Sequence, residues 1–510
     1  MTDRGDTHGP TRLSGLLITT VLTMTAASFS QAQNTLQENE ERSVANEITI
    51  DERSALPGRV SFVLEGYDIP EGSYSIVVEN LTRPATAVRI NADTAMQPAS
   101  TIKTLTTLAA LNHLGPDYHW PTETYALGTV DDQGILNGDL LIRGQGDPFL
   151  VEEQLRNLLK SLMQQGIRHI NGNLILDTSA FDSSLWQGEA MDGQTGRAYN
   201  VLPHPLLMNF QVNNFLFRPS TGENAVEILT DPPLSNLIIE NKLTLRQSAC
   251  NGFQRGIRAD VFPEQNRIRF SGAFPDRCQQ YRMTRATMTA NDYAYGLIKL
   301  LWQQLGGTLS GEVIEDTNGT HLASQPDLTP ASVHWSPPLS EIIRSINKYS
   351  NNVMTRQLLL TMGRNEGDSG VTLGAGQQAI YEFLAERGIP HSSLILDNGS
   401  GLSRQTRISA SDLAAALHFA WHSPYMPEFL ASLPLSGMDG TMSSRLNDAT
   451  ARGRMHVKTG SLDDVAGVAG YVYSESGDSY AVVVLLNHAD ADRGLGQELA
   501  DAVLAWTVRQ

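Results

Sequence analysis

Residues 98–111 read Pro-Ala-Ser-Thr-Ile-Lys-Thr-Leu-Thr-Thr-Leu-Ala-Ala-Leu. Apolar residues recur in this stretch at the spacing of one helix face, so we predict a helix that starts at Ser100 and stops near Gly115. Such a helix places the hydroxyl of Ser100 and the amine of Lys103 one turn apart on the same face. The chemistry that this pair can perform depends on the protonation state of the lysine.

A Ser-x-x-Lys pair is reactive only if the lysine loses its proton. Burial or a second cation nearby lowers the pKa of an ammonium group, and the free amine can then accept the proton of a serine hydroxyl. Arginine could not replace the lysine, because its guanidinium does not deprotonate in proteins. The chain has six lysines, so roughly half a Ser-x-x-Lys match is expected by chance. Ser345 and Lys348 form a second copy, and an exposed helical pair is the alternative interpretation of the first.

Two further motifs follow the first along the chain. Lys458-Thr459-Gly460 stands just before the C-terminal strands, and such a triplet is expected by chance at about 0.04 per chain. Ser350 and Asn352 form a Ser-x-Asn element at a predicted helix–loop region. The Ser-x-Asn pattern alone has low specificity, because the residues from Ser345 also fit it.

In this order the three elements resemble the active site of penicillin-binding proteins and serine β-lactamases. The separation of 250 residues between Ser100 and Ser350 is too long for a compact β-lactamase. It is similar to that of class C low-molecular-mass penicillin-binding proteins, the D-alanyl-D-alanine carboxypeptidase/endopeptidase family of the penicillin-binding protein 4 type. Two more segments, 397–404 and 435–442, are similar to the same family. The resemblance covers the chain from about residue 50 to 510.

The resemblance implies a role for each catalytic position. Ser100 would be the acylating nucleophile, and Lys103 would be its general base. Ser350 would relay a proton to the leaving amine and bridge Lys103 and Lys458. Asn352 would hold the substrate amide and orient Lys103. Lys458 would supply positive potential that lowers the pKa of Lys103 and attracts a carboxylate.

The resemblance also implies four substrate-binding positions. Thr459 would hydrogen-bond the terminal carboxylate of D-alanine, and the N–H groups of Ser100 and Ser461 would form the oxyanion hole. Gly460 would leave the strand edge clear for the substrate. Asp192 would recognise the free amino end of a diaminopimelate side chain, and an ordinary loop aspartate is the alternative.

The segment 397–404, Asp-Asn-Gly-Ser-Gly-Leu-Ser-Arg, is expected to be a structural turn that shapes the wall of the cleft. It departs from the family pattern at Asn398, where the family has a small residue.

The expected fold class is α/β (α+β), a transpeptidase/β-lactamase-like domain with an antiparallel sheet flanked by helices. Residues 45–118 would form its first part and residues 288–510 its second part. Residues 119–287 would form a mostly β insertion, as one region or two subdomains. Alternating strand patterns near both ends of the chain predict that N- and C-terminal strands share one sheet. A helix is predicted over 339–363.

The charge and the ends of the chain limit its partners. A formal charge of −18, from 55 acidic and 37 basic residues, would repel nucleic acid and anionic lipid. Residues 1–32 are predicted to be a signal peptide, because Arg4 and Arg12 precede a short apolar stretch and small residues. A disordered tail is the alternative. We expect a periplasmic protein with no integral membrane segment in its mature form.

Cys250 and Cys278 are the two cysteines of the chain. In an oxidising compartment they would form a disulfide, and two buried thiols are the alternative. We expect neither a metal nor another cofactor. His418 and His422 have the spacing of a zinc motif, but the glutamate of that motif is missing.

These inferences predict a serine-type D-Ala-D-Ala carboxypeptidase, D,D-endopeptidase or both. It would act on peptidoglycan peptides through an acyl-enzyme, and β-lactam antibiotics would be covalent inhibitors. A β-lactamase or D-amino-acid esterase on the same scaffold is the main alternative. A catalytically idle cell-wall-binding module and a cytoplasmic peptidase are the others.

Overall fold

A computed structural model describes residues 56–83, 88–187, 190–220, 225–250, 256–364 and 369–510. The predicted signal peptide, residues 1–32, and the start of the first predicted part, residues 45–55, lie outside the described residues.

The helices of the described segments are numbered in chain order. They are α1 Gly58–Gly66, α2 Lys103–Leu114, α3 Glu152–Gln164, α4 Ala290–Gln304, α5 Thr320–Ala323, α6 Leu339–Tyr349, α7 Asn352–Met362, α8 Leu373–Glu386, α9 Ala410–His422, α10 Met426–Ser432 and α11 Leu495–Val508. Within the same segments, no helix is both long and apolar enough to cross a bilayer.

The strands are numbered in the same way. They are β1 Tyr74–Asn80, β2 Val88–Ile90, β3 Pro121–Val130, β4 Ile135–Gly144, β5 His169–Ile170, β6 Leu174–Asp177, β7 Asn213–Pro219, β8 Val226–Asp231, β9 Ile238–Arg246, β10 Ile257–Phe262, β11 Arg267–Pro275, β12 Tyr281–Arg285, β13 Thr308–Leu309, β14 Val313–Asp316, β15 Ser332–Trp335, β16 Met455–Leu462, β17 Val465–Tyr473 and β18 Ser479–Asn487.

A five-stranded antiparallel sheet joins the two ends of the chain. Its strand order is β16-β17-β18-β1-β2, and β1 pairs with β18 from Tyr74 opposite Leu486 to Asn80 opposite Tyr480. The prediction that N- and C-terminal strands share one sheet is therefore confirmed. The β17–β18 hairpin and the helix α11 that follows it also agree with the sequence pattern.

Helices cover both faces of this sheet. Val77 and Val483 point to one face and pack with residues of α2, α6 and α9. Ile76 and Val484, their neighbours along the strands, point to the other face and pack with residues of α1 and α11. Successive side chains of a strand alternate between faces, so apolar strands with two covered faces need both helix layers. The expected fold class is confirmed by this arrangement.

The single helix predicted over 339–363 is wrong, because two helices lie there. Helix α6 ends at Tyr349, and Ser350 has φ = +57°, in the left-handed region. The side chain of Asn351 then accepts a hydrogen bond from the N–H of Met354 and caps α7. Capping by asparagine satisfies a backbone donor that a helix start leaves free. The break exposes the Ser-x-Asn element between two helix ends.

A seven-stranded mixed sheet forms the first half of the insertion. Strands β3 to β6 belong to it, and its apolar residues pack against α3 and α4. Strands β13, β14 and β15, which follow the predicted boundary at 287, also belong to it and pair with β5, β6 and β3. The boundary at 287 is predicted from a return to helical sequence, which does not reveal the sheet that a helix covers. We therefore propose that the insertion extends to about residue 335.

Two three-stranded sheets, β10-β11-β9 and β12-β7-β8, form the other half of the insertion. Phe215, Phe217 and Phe270 pack together between them as a separate apolar cluster. Cys250 and Cys278 border this cluster and are joined by the expected disulfide, with their Cα atoms 4.9 Å apart. The two separate clusters support a division of the insertion into two subdomains.

We predict that the disulfide stabilises this small cluster. A bond that closes a loop of 28 residues contributes roughly 3 kcal/mol by limiting the unfolded chain. The double substitution Cys250→Ser with Cys278→Ser should therefore lower the midpoint of thermal unfolding. Calorimetry of this variant and of the wild type in reductant should give the same lowered value. An unchanged midpoint in both samples would contradict the prediction.

Candidate active site

Ser100 lies on a short 3-10 turn, Ala99–Ile102, that leads into α2 at Lys103. The α-helix therefore begins three residues later than predicted, but the pair keeps its spacing. Ala99 has φ = +46°, a left-handed conformation that residues with a side chain rarely adopt. The local backbone is strained at the residue before the serine, which is a common property of functional sites.

The amine of Lys103 is fully buried and contacts three oxygen atoms. It lies 2.8 Å from Ser100 Oγ, donates to Asn352 Oδ1 at 2.7 Å, and donates to the carbonyl of Ser400. The amide and carbonyl oxygens can only accept hydrogen bonds, whereas a serine hydroxyl can also donate. A neutral amine has two N–H groups for the two acceptors, so its lone pair is left for the Ser100 hydroxyl.

The surroundings of Lys103 favour this neutral form. Burial lowers its pKa well below the ordinary value, and the positive charges of Lys458 and Arg356 lower it further. None of its three hydrogen-bond partners is a carboxylate. The sequence analysis expected the contribution of Lys458, and Arg356 is an additional cation that it missed.

Lys458 forms a second buried centre beside the first. Its amine donates to Ser350 Oγ at 2.9 Å and to the carbonyl of Thr459 at 2.7 Å, and burial lowers its pKa to about 7. Ser350 was expected to bridge both lysines. Among the described residues it has a hydrogen bond to Lys458 and none to Lys103.

Asn352 connects the site to the inserted region. Its Oδ1 accepts from Lys103, and its Nδ2 donates to the carbonyl of Tyr199 at 3.1 Å. The expected contact with Lys103 is therefore present. The amide nitrogen is directed to Tyr199, a residue that sequence reasoning missed, and the expected contact of Asn352 with a substrate amide stays a prediction.

Thr459, Gly460 and Ser461 lie on β16, the edge strand of the central sheet. The first half of this strand is covered by a bridge between Leu435 and His456. Over residues 459–462 the outer edge has no strand partner in the described part of the chain. An open edge can accept an extended peptide by adding a strand.

Gly460 lies where β16 approaches the backbone of the serine turn. A Cβ at this position would lie 2.7 Å from the carbonyl oxygen of Pro98 and 3.0 Å from the nitrogen of Ser100. The glycine therefore allows β16 to approach the backbone of the serine turn, and its expected role at the substrate edge stays a prediction. No side chain fits between these two segments.

The segment 397–404 is a turn, as expected, and it also contacts the lysine. Asn398 Oδ1 accepts from the N–H and hydroxyl of Ser400, which orients the Ser400 carbonyl towards Lys103. A Cβ at Gly401 would lie 1.9 Å from the carbonyl oxygen of Ala99. The contact of Ser400 with Lys103 is made by a backbone carbonyl, so it could not be predicted from the type of residue at this position.

Asp192 is exposed and lies on a loop of the inserted region. Its carboxylate accepts from Tyr199 Oη at 2.7 Å and from Asn200 Nδ2 at 2.6 Å. Partial burial raises its pKa, but these hydrogen bonds and one from Gln194 outweigh that effect and lower it. Asp192 contacts the residue that holds Asn352, and it does not contact either lysine.

A cavity of about 600 Å³ is lined on one side by residues of the 397–404 turn. Met191, Arg356 and Arg404 are among its lining residues. Arg356 Nη1 donates to the carbonyl of Val201, and its buried Nε has no hydrogen-bond partner among the described residues. Asp397 also lines the cavity, which therefore combines apolar walls with charges of both signs.

The second Ser-x-x-Lys copy is not part of this site. The amine of Lys348 contacts both oxygens of Asp439, at 2.7 and 2.9 Å, and the carbonyl of Leu433. Its role is therefore structural. Within the described ranges, no group of three or more histidine, cysteine or acidic side chains is placed to hold a metal.

Known proteins are similar to this chain over most of its length. D-alanyl-D-alanine carboxypeptidase DacB of Haemophilus influenzae is 27% identical over 430 residues, which is 82% of this chain and 86% of that protein. A D-alanyl-D-alanine carboxypeptidase of an Actinomadura species is 26% identical over 403 residues, 77% of this chain and 73% of that protein.

A solved structure supports the same assignment of the fold. The crystal structure of penicillin-binding protein 4 from Haemophilus influenzae superposes with a TM-score of 0.74 at 23% identity, over 89% of this chain and 100% of that chain. The sequence profile of the D-Ala-D-Ala carboxypeptidase 3 (S13) family matches residues 58–509. The chain therefore belongs to the D-Ala-D-Ala carboxypeptidase 3 (S13) family and is a hydrolase of the serine peptidase class, as the resemblance of its motifs predicted.

Proposed function

We propose that Ser100 is the nucleophile of a serine-type D-Ala-D-Ala carboxypeptidase and D,D-endopeptidase that acts on peptidoglycan stem peptides. The observation that carries this proposal is the buried amine of Lys103, 2.8 Å from Ser100 Oγ and bonded to two neutral acceptors. Burial and two nearby cations lower the pKa of this amine, which makes its neutral, basic form easier to reach, and a positioned base is what a serine needs to become a nucleophile.

The first half of the reaction forms an acyl-enzyme. Lys103 takes the proton of Ser100 while Oγ attacks the carbonyl carbon of the penultimate D-alanine. The N–H groups of Ser100 and Ser461 stabilise the resulting oxyanion, at about 3 kcal/mol for each donor. The C–N bond then breaks, and the departing amine takes the proton that Lys103 had accepted, relayed through the Ser350 hydroxyl, so Lys103 is a neutral amine again in the acyl-enzyme. Ser350 is suited to this role because Lys458 donates to its hydroxyl.

The second half returns the enzyme to its initial state. Water attacks the ester carbonyl with Lys103 as base, and the bond to Ser100 Oγ breaks as the hydroxyl regains a proton. When the departing group is a terminal D-alanine the reaction is a carboxypeptidase step, and when it is a cross-linked stem peptide it is an endopeptidase step. A β-lactam would be attacked as a strained amide of the same kind.

Lys458 and Thr459 would bind the terminal carboxylate. Burial lowers the pKa of Lys458 to about 7, so its charge is only partly present at neutral pH before substrate binds. A carboxylate nearby favours the charged form of an amine and raises its pKa. Substrate binding would therefore be accompanied by proton uptake at Lys458.

The proposed place of action is the periplasm, with residues 1–32 as the signal peptide. Peptidoglycan is the substrate implied by the family, and the relatives named above include a bacterial carboxypeptidase from Haemophilus influenzae. The proposed partners are peptidoglycan peptides and β-lactams.

We predict that benzylpenicillin forms one covalent adduct on the wild type and none on Ser100→Ala. Intact-mass spectrometry measures the adduct directly. Ser345→Ala is the matched control, because Ser345 begins the second Ser-x-x-Lys copy, and this variant should be labelled like the wild type. An adduct that persists on Ser100→Ala would exclude Ser100 as the nucleophile. Rapid hydrolysis of the drug without a lasting adduct would favour the β-lactamase or esterase alternative.

We predict that the acylation rate falls as the pH falls through the lowered pKa of Lys103, because protonation removes the base. Lys458→Gln removes a like charge and should raise the pKa of Lys103, so this acid limb should move to higher pH. The pKa of Lys103 in the variant should remain below the ordinary lysine value of 10.5, because burial is the larger cause of the shift. Stopped-flow measurement of acylation over a pH series gives the acid limb of the wild type and that of the variant. A limb that moves to lower pH would contradict the assignment of Lys103 as base.

We also propose that Asp192 binds the free amino group of the third stem-peptide residue. Its lowered pKa keeps the carboxylate charged, and its neighbour Met191 lines the cavity at the 397–404 turn. This contact would be solvent-exposed, and exposed ion pairs contribute little energy.

The prediction for Asp192→Asn is a loss of up to about fivefold in kcat/KM, because an exposed ion pair contributes at most about 1 kcal/mol. The loss should occur with a diaminopimelate peptide and disappear when the same amino group is acetylated. Peptide assays by liquid chromatography measure both values, with Asp182→Asn as a control on another loop of the insertion. An equal loss on both peptides would reject amine recognition by Asp192.

A further inference from the structure

We propose that Thr441 is a second hydroxyl donor to the terminal carboxylate of the substrate, beside Thr459. The two hydroxyl oxygens lie 2.8 Å apart, and Thr459 donates to Thr441 in the unliganded site. The inference rests on the proposed function, because it assigns one more group to the carboxylate site of the same reaction. Thr441 belongs to the 435–442 segment, to which the sequence analysis gave no role.

The hydroxyl of Thr441 is available for a ligand. Its oxygen accepts from Thr459, and its own proton has no acceptor among the described residues. Its side chain is exposed, and that of Thr459 is half-buried. The pair therefore presents one free O–H group at the open edge of β16.

A carboxylate matches this pair chemically. Each of its two oxygens can accept hydrogen bonds, and each threonine hydroxyl can donate one. On binding, Thr459 would rotate its proton from Thr441 to one carboxylate oxygen, and Thr441 would donate to the other. Hydrogen bonds to a charged group are stronger than those between neutral groups, so the exchange is favourable. The buried amine of Lys458 lies behind Thr459 and supplies the charge.

The position of Thr441 is fixed by the segment before it. Asp439 forms the ion pair with Lys348, whose side chain is almost fully buried. Gly440 has φ = +55°, and a Cβ there would lie 2.5 Å from the carbonyl oxygen of Lys348. The segment therefore rests directly on the end of α6, two residues before Ser350. Thr441 and Ser350 are therefore both adjacent to the backbone at the end of α6.

A purely structural role for Thr441 predicts a different result. The hydrogen bond between the two neutral hydroxyls is accessible to water, competes with hydrogen bonds to water, and contributes little to folding. Thr441→Val keeps the shape and the β-branch of the side chain and removes only the hydroxyl. The variant should fold, and any effect should depend on whether the ligand carries a carboxylate.

The experiment compares two peptides on the full-length enzyme, one ending in D-Ala-D-Ala and the other in D-Ala-D-alaninamide. For Thr441→Val we expect kcat/KM to fall about 10- to 100-fold on the carboxylate peptide, mainly through KM, because a charge-assisted hydrogen bond is lost. The amide peptide should change by less than about threefold, since a neutral group makes weaker hydrogen bonds. Thr441→Ser restores a hydroxyl and should recover most of the loss. Ser443→Ala, an exposed hydroxyl in the following turn, is the matched control.

The outcomes separate this inference from the function on which it rests. Equal losses on the two peptides, or no loss on either, would overturn the role of Thr441. A Thr441→Val enzyme that keeps the wild-type preference for the carboxylate would overturn it as well. If the wild type neither releases D-alanine nor is acylated at Ser100, the proposed function fails, and the inference fails with it.

Discussion

The burial of one amine, that of Lys103, is the constraint on which the rest of the site depends. A buried ammonium is costly unless an anion compensates its charge, and here the partners are Asn352 Oδ1, the Ser400 carbonyl and Ser100 Oγ. These contacts favour the neutral amine, which the two acceptors would orient with its lone pair towards the serine. The low pKa of Lys103 and the orientation of its amine therefore follow from the same set of contacts.

Close backbone approach makes this burial possible. The serine turn lies between β16 and the 397–404 turn, and both approaches occur where a glycine has no side chain to interfere. At Gly460 and at Gly401, a Cβ would collide with the backbone next to Ser100. Ser100, the proposed nucleophile, is thus held by packing of main-chain atoms on both sides. Interiors packed at this density resist displacement, which keeps the serine and lysine at a fixed separation.

The two Ser-x-x-Lys copies show how surroundings determine chemistry. Lys103 and Lys348 have the same spacing to a serine, and burial lowers the pKa of both. The carboxylate of Asp439 opposes that effect at Lys348, whereas the cations Lys458 and Arg356 reinforce it at Lys103. One lysine is consequently an ion-pair anchor beneath the 435–442 segment, and the other is suited to act as a base.

The amino-acid sequence by itself determined several of the helices and strands and the residues of the motifs. Alternation and helical spacing are local properties, so β1, β17, β18 and α11 could be predicted, as could the pairing of Lys103 with Ser100. Tertiary structure alone decided the contacts between distant segments. The Ser400 carbonyl is 297 residues from Lys103 and is a backbone atom that every residue carries. The strands after residue 287 pair with the inserted sheet, and the charge on each lysine depends on neighbours from other parts of the chain. These properties arise because residues far apart in the sequence come close together in space, and local sequence patterns do not encode that proximity.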